Sequence, residues 1–136
     1  MKKCGSLAAA LTLLLVLTAC GRTETMTLPE TGKIASVDVT AGDQTVRHTD
    51  EAWISEMVTT FSGAEPTGRE SVQDVPQAEE FIRLDLQLGS GASTLFAYQE
   101  GGSFYVEQPY QGIWQITGEQ YTWLGRRSDL PVPALV

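Results

Sequence analysis

The chain has 136 residues, with 17 acids against 9 lysines and arginines, a formal charge of −8, 2 cysteines and 1 histidine. That length supports one modest hydrophobic core rather than two, and an acidic balance with no dense basic stripe excludes nucleic acid as a partner. The few thiols and the single imidazole form no set of ligands at metal-binding spacing, so no metal and no cofactor is expected.

Residues 1–19 have the order of a lipoprotein signal peptide: Met1-Lys2-Lys3, an apolar core from Leu7 to Leu17, then small Thr18 and Ala19 before Cys20-Gly21. The apolar run is shorter than the roughly 20 residues that span a bilayer, which favours cleavage over an uncleaved anchor. Cys20 is then the lipidation site, and dual acylation makes a stable membrane anchor. Cleavage removes Lys2 and Lys3 and no acid, taking the formal charge from −8 to −10. Cys4 is discarded and Cys20 consumed, so no thiol remains for a disulfide, a metal or a nucleophile. Residues 20–32, rich in Thr, Glu, Pro and Gly, read as the lipidated cysteine and a tether, followed by one domain over 33–128 and a tail over 129–136.

Ala35, Val37 and Val39 alternate with polar residues as in a half-buried strand, and Gln44 to His48 returns after the Ala41-Gly42-Asp43 turn. Thr49-Asp50-Glu51 opens a helix in which Trp53, Ile54, Met57, Val58 and Phe61 form one apolar stripe. Ser62 to Glu80 loses periodicity and reads as a long connection, a length that is uncommon unless functional or disordered. Within it Arg69, Glu70, Ser71 and Asp74 are candidate loop residues, either pinned to the fold through Arg69 or facing a ligand.

Ile82, Leu84, Leu86 and Leu88 mark the clearest strand, expected at the centre of the sheet. Thr94 to Gln99 and Ser103 to Gln108 follow as strands joined at Glu100-Gly101-Gly102, and Ile113 to Ile116 returns after a turn at Pro109, with Gly112 expected to take its left-handed position. Thr117-Gly118-Glu119-Gln120 has the pattern of a capping box opening a short C-terminal helix. The predicted fold class is α+β: an antiparallel sheet of five or six strands, one main amphipathic helix on one face, and the short C-terminal helix.

Tyr105-Val106-Glu107-Gln108-Pro109-Tyr110-Gln111-Gly112-Ile113-Trp114, with Arg69 to Pro76 and Leu28-Pro29, resembles an uncharacterised domain of small lipoproteins from clostridia-like Gram-positive bacteria, filed as a domain of unknown function. That family usually carries tyrosine where this chain has Trp114. The resemblance covers nearly the whole chain after residue 20. It implies a lipid-anchored domain on the outer face of a Gram-positive cytoplasmic membrane and implies no activity.

Nucleophilic catalysis is not expected, because His48 sits beside a helix start with no activated serine motif. Asp85 and Glu107 could form an acidic pair on neighbouring strands, a pattern of little specificity in a chain this acidic. Tyr105, Glu107, Gln108, Pro109, Tyr110, Gln111 and Trp114 join aromatic faces to polar tips and are the candidate binding residues for peptide or wall carbohydrate; the other role for the rings is to pack beneath the Arg69 to Pro76 loop. The expected function is a non-catalytic binding, sensing or accessory module at the cell surface. The alternatives are a structural or regulatory subunit of a membrane-protein complex, or a cell-envelope hydrolase using acidic residues.

Overall fold

A computed structural model describes residues 24–130. Cys20 and the signal segment lie outside them, as does the tail beyond Leu130. The strands β1 (Ile34–Ala41), β2 (Gln44–His48), β3 (Glu65–Pro66), β4 (Ile82–Leu88), β5 (Gly91–Glu100), β6 (Ser103–Gln108) and β7 (Gly112–Ile116) form one antiparallel sheet in the order β2-β1-β4-β5-β6-β7-β3. Helices α1 (Glu51–Phe61) and α2 (Gly118–Arg127) complete the mixed α+β architecture.

The sheet has seven strands where five or six were expected. The addition is β3, two residues from the predicted connection that pair with Gln115 and Trp114 of β7. It carries no hydrophobic alternation, and its Pro66 lacks a backbone donor, which restricts it to an edge.

One face of the sheet is apolar because its register aligns Val37 and Val39 with Leu86 and Leu84, Leu84 with Leu95, Ala97 with Val106, and Val106 with Trp114. Both helices cover it. Trp53, Ile54, Met57 and Phe61 of α1 and Tyr121, Trp123 and Leu124 of α2 join these strand residues in one buried core. At β1 the expected phase is corrected: a bulge between Ile34 and Ser36 shifts the alternation, so Ile34 is buried and Ala35 is exposed.

The caps behave as their chemistry requires. Asp50 accepts from Ala52 N at 3.2 Å at the start of α1. At α2, Thr117 Oγ1 accepts from Gln120 N at 3.1 Å while Gln120 Oε1 accepts from Thr117 N at 2.7 Å, the reciprocal capping box. The two helices are locked to each other by their aromatic N–H groups. Trp53 Nε1 donates to Arg127 O at 2.7 Å and Trp123 Nε1 to Glu56 Oε1 at 3.0 Å. His48, at the end of β2 and beside the start of α1, is buried, stacked on Trp53 at 3.9 Å, with Nε2 3.2 Å from Ser128 O.

The segment read as a tether is part of the fold from Glu24 onward. Met26 is buried and donates its N–H to Ala64 O, Gly63 N donates to Met26 O, and Trp114 Nε1 donates to Glu24 O at 2.8 Å. Its composition carries no period, so these contacts with distant segments, and not a local pattern, place it there. At the other end the core continues past residue 128 to Leu130, which is also buried.

Candidate functional site

The second face of the sheet has no helix. On β4 and the β1–β2 hairpin it is polar, with Arg47 paired to Asp38 at 2.7 Å and Arg83 to Asp85 at 2.9 Å. On β5 and β6 it carries Phe96, Tyr98 and Glu107, all buried beneath the segment that follows β3. Alternation alone assigns these to a solvent face, because nothing in a strand's own period announces a covering loop.

Glu107 is 1% exposed, and its carboxylate is what fixes that loop. Ser71 Oγ donates to Oε2 at 2.8 Å and Gln73 Nε2 to the same oxygen at 3.3 Å, while the Tyr98 hydroxyl donates to Oε1 at 3.0 Å. Burying a carboxylate is expensive unless donors replace its water, and here three uncharged side chains do so. The Tyr98 phenol is pushed far above its ordinary value by burial, then by its hydrogen bond to Glu107 and the charge of that group.

The latch reaches the hairpin as well. Ser71 Oγ also accepts from Tyr110 N at 3.3 Å, so one buried hydroxyl joins loop, sheet and β6–β7 turn. Backbone pairing continues alongside: Thr67 N donates to Ile113 O at 3.3 Å and Ile113 N to Arg69 O at 3.3 Å, with Thr67 Oγ1 on Ile113 O at 2.6 Å.

The candidate residues divide into two sets. Glu107, Ser71 and Trp114 are buried; Gln108 is half-buried and donates to Ser93 Oγ at 3.3 Å, and Pro109 is half-buried in the turn. Tyr105 is half-buried between Tyr98 at 5.9 Å and the Arg69 guanidinium at 5.4 Å. Tyr110, Gln111, Arg69, Glu70 and Asp74 are exposed. Arg69 lies 3.6 Å from Glu100 with both side chains about half exposed, so it contributes little beside the Ser71–Glu107 link.

Two residues that sequence reasoning did not single out complete the surface. Among the described residues, the exposed large apolar side chains are Val72 at 71%, Tyr110 at 61% and Val75 at 47%. All three belong to this loop and turn. Tyr110, not Gly112, takes the left-handed position of the turn, at φ 62°. Gly112 is needed for another reason: a Cβ there would meet the Trp114 ring at 3.1 Å. The Asp74 carboxylate beside the Tyr110 phenol pushes its pKa up.

Asp85 and Glu107 do not stand on neighbouring strands, because β5 separates β4 from β6. Asp85 is taken up by Arg83 and by Thr94 Oγ1 at 2.8 Å. Among the described residues, no three His, Cys, Asp or Glu side chains are grouped so as to hold a metal ion.

Residues 22–115, which contain the loop, the hairpin and the sheet that carries them, match the family model DUF5301, described as "Domain of unknown function (DUF5300)". The chain belongs to the DUF5301 family. The DUF5301 chain is also similar to an NMR structure of a protein from Ruminococcus gnavus, at 26% identity and a TM-score of 0.61, covering 71% of this chain and 98% of that one. No curated protein matches it. The likeness to that structure shows a shared fold, and the role of the DUF5301 domain is left to be inferred from its own surface.

Proposed function

We propose that this DUF5301 protein is a lipid-anchored, extracytoplasmic and non-catalytic binding module whose recognition surface is the loop over residues 69–76 together with the β6–β7 turn. The observation that carries this reading is the collection of Val72, Val75 and Tyr110 on one ordered tip. Exposed apolar side chains scattered singly need no explanation, whereas a group of them held on a fixed loop marks an interaction surface. The signal pattern ending at Cys20 supplies the address.

Two features support recognition by the tip rather than chemistry on it. The acidic groups here are committed to internal hydrogen bonds or stand in open solvent. Tyr110 is held at a positive φ, a conformation that costs a non-glycine residue about 1 kcal/mol and is retained where the side chain is needed.

The test is proximity biotinylation in intact cells, comparing wild type with a V72S/Y110S variant whose unfolding midpoint is unchanged. Wild type is expected to incorporate an alkyne fatty acid at Cys20 and to enrich a reproducible set of extracytoplasmic neighbours that the variant loses. An identical neighbour set for both forms overturns the assignment of the tip.

A further inference from the structure

The two edges of the sheet differ in how they are protected. At β3 the edge is two residues long, carries Pro66 and continues into the latched loop, whereas β2 has five residues with no proline, no lysine and no bulge. Those are the devices by which sheets stop further strands from adding. The two-residue turn at Gly42-Asp43, with Gly42 at φ 62°, closes on Ala41 and Gln44 as a hydrogen-bonded pair, and antiparallel alternation then turns the backbone groups of Val46 and His48 toward β1 as well. The Thr40–Thr45 hydroxyl contact at 2.8 Å and the Asp38–Arg47 pair at 2.7 Å mark the positions between, where side chains stand closer. Thr45 and Arg47 therefore direct their N–H and C=O groups outward, and among the described residues no strand takes them. Val46, across from fully buried Val39 on the helix-covered face, is only half-buried.

The described chain ends beside this edge. Ser128 O lies 3.2 Å from His48 Nε2, Asp129 turns the chain at φ 59°, and Leu130 is buried in the same core. The sequence that follows is Pro131-Val132-Pro133-Ala134-Leu135-Val136. We infer that this segment adds to β2 as an antiparallel strand and closes the open edge of the sheet. Entry at the His48 end sets its direction, and its length of about 20 Å as a strand matches the roughly 17 Å of β2. Val132 and Ala134, which have N–H groups, face Arg47 and Thr45, the two residues of β2 whose groups point outward. Pro131 and Pro133 fall at the alternate positions, where an N–H would point to solvent and its absence costs nothing. Pro133 then lies across from Val46 and extends the apolar face, and the two prolines leave the new edge short of donors for any further strand. A register shifted by one residue would put both prolines where donors are required, so the sequence admits one phase of pairing.

The test is amide exchange resolved by residue in the full lipidated chain in micelles, comparing wild type with V132P/A134P and with L135P. The expected result is protection of the Thr45 and Arg47 N–H groups in wild type, reduced about tenfold or more in V132P/A134P, which lacks the paired donors, and retained in L135P, whose lost N–H points outward. On oxidation, V46C/P133C should form an intrachain disulfide, because directly opposed strand positions bring their Cβ atoms close enough to bridge. Unprotected Thr45 and Arg47 in wild type, protection that V132P/A134P leaves intact, equal loss in L135P, or interchain disulfides alone overturn the inference. If protection surviving in V132P/A134P rises with protein concentration, the edge is occupied by a second copy instead of the tail.

Discussion

Replacing Ser71 with alanine removes one hydroxyl and breaks two connections. The hydroxyl donates to the Glu107 carboxylate at 2.8 Å and accepts from Tyr110 N at 3.3 Å, in a residue that is 4% exposed. A hydrogen bond to a charged group contributes about 1.5–3 kcal/mol, and a buried acceptor left short of a donor pays the upper part of that range. The Tyr110 N–H, in an exposed turn, can turn to water and adds little. The expected loss is about 2–3 kcal/mol in urea unfolding, equivalent to a fall of roughly 10–20 °C in Tm for a domain of this size. Amide exchange adds a local readout: Ile113 N–H and Tyr110 N–H should lose protection together, because both depend on the loop. Tyr98→Phe removes the donor on the other carboxylate oxygen, and the two changes should couple by more than about 0.5 kcal/mol in a double-mutant cycle. A Ser71→Ala loss below about 0.5 kcal/mol with unchanged exchange would refute the latch.

Three further outcomes follow from the same geometry. Because the folded-state pKa of Tyr98 is raised above its ordinary value of 10.0, its contribution is complete below about pH 10 and is lost as pH rises through the folded pKa; alkaline unfolding curves should therefore be shallower for Tyr98→Phe than for wild type. Asp38 has the opposite sign: its hydrogen bond to Arg47 lowers its pKa from 3.8, so its contribution is present above about pH 4 and lost as pH falls through the folded pKa, and Asp38→Asn should flatten the acid limb by a small amount, the pair being largely exposed on the arginine side. Trp114→Phe keeps most of the ring and deletes its N–H, so limited proteolysis should cut near Glu24 sooner, with a stability loss of about 1–2 kcal/mol by thermal unfolding.

The elements with a strong period were legible in the sequence. The alternation of Ile82 to Leu88, the stripe from Trp53 to Phe61 and the capping box at Thr117 each state a local rule that the fold obeys, and the structure adds only the partners. What could not be read depends on contacts between distant segments. Glu24 to Leu28 has a tether's composition, yet Met26 enters the core because Ala64 and Gly63 offer backbone partners and Trp114 offers its N–H. β3 has two residues and no pattern, and it exists because β7 presents an open edge. The site divides in the same way. The hairpin motif was visible as a whole, but which of its side chains serve the fold was decided by a loop more than 30 positions away, since Ser71 and Glu107 are 36 residues apart. Val72 and Val75 looked like minor apolar residues in a charged stretch, and only the buried Ser71 between sheet and turn fixes them outward.

Tyr110→Gly tests most directly whether the tip is kept for recognition. Tyr110 is 61% exposed at φ 62°, so glycine removes conformational strain and sacrifices little burial. If the side chain serves binding, the free energy of unfolding should rise by about 0.5–1 kcal/mol while the neighbours that proximity labelling captures with wild type are lost. A fall in stability of more than about 1 kcal/mol, or an unchanged set of neighbours, would show that Tyr110 serves the fold and that recognition lies on another surface.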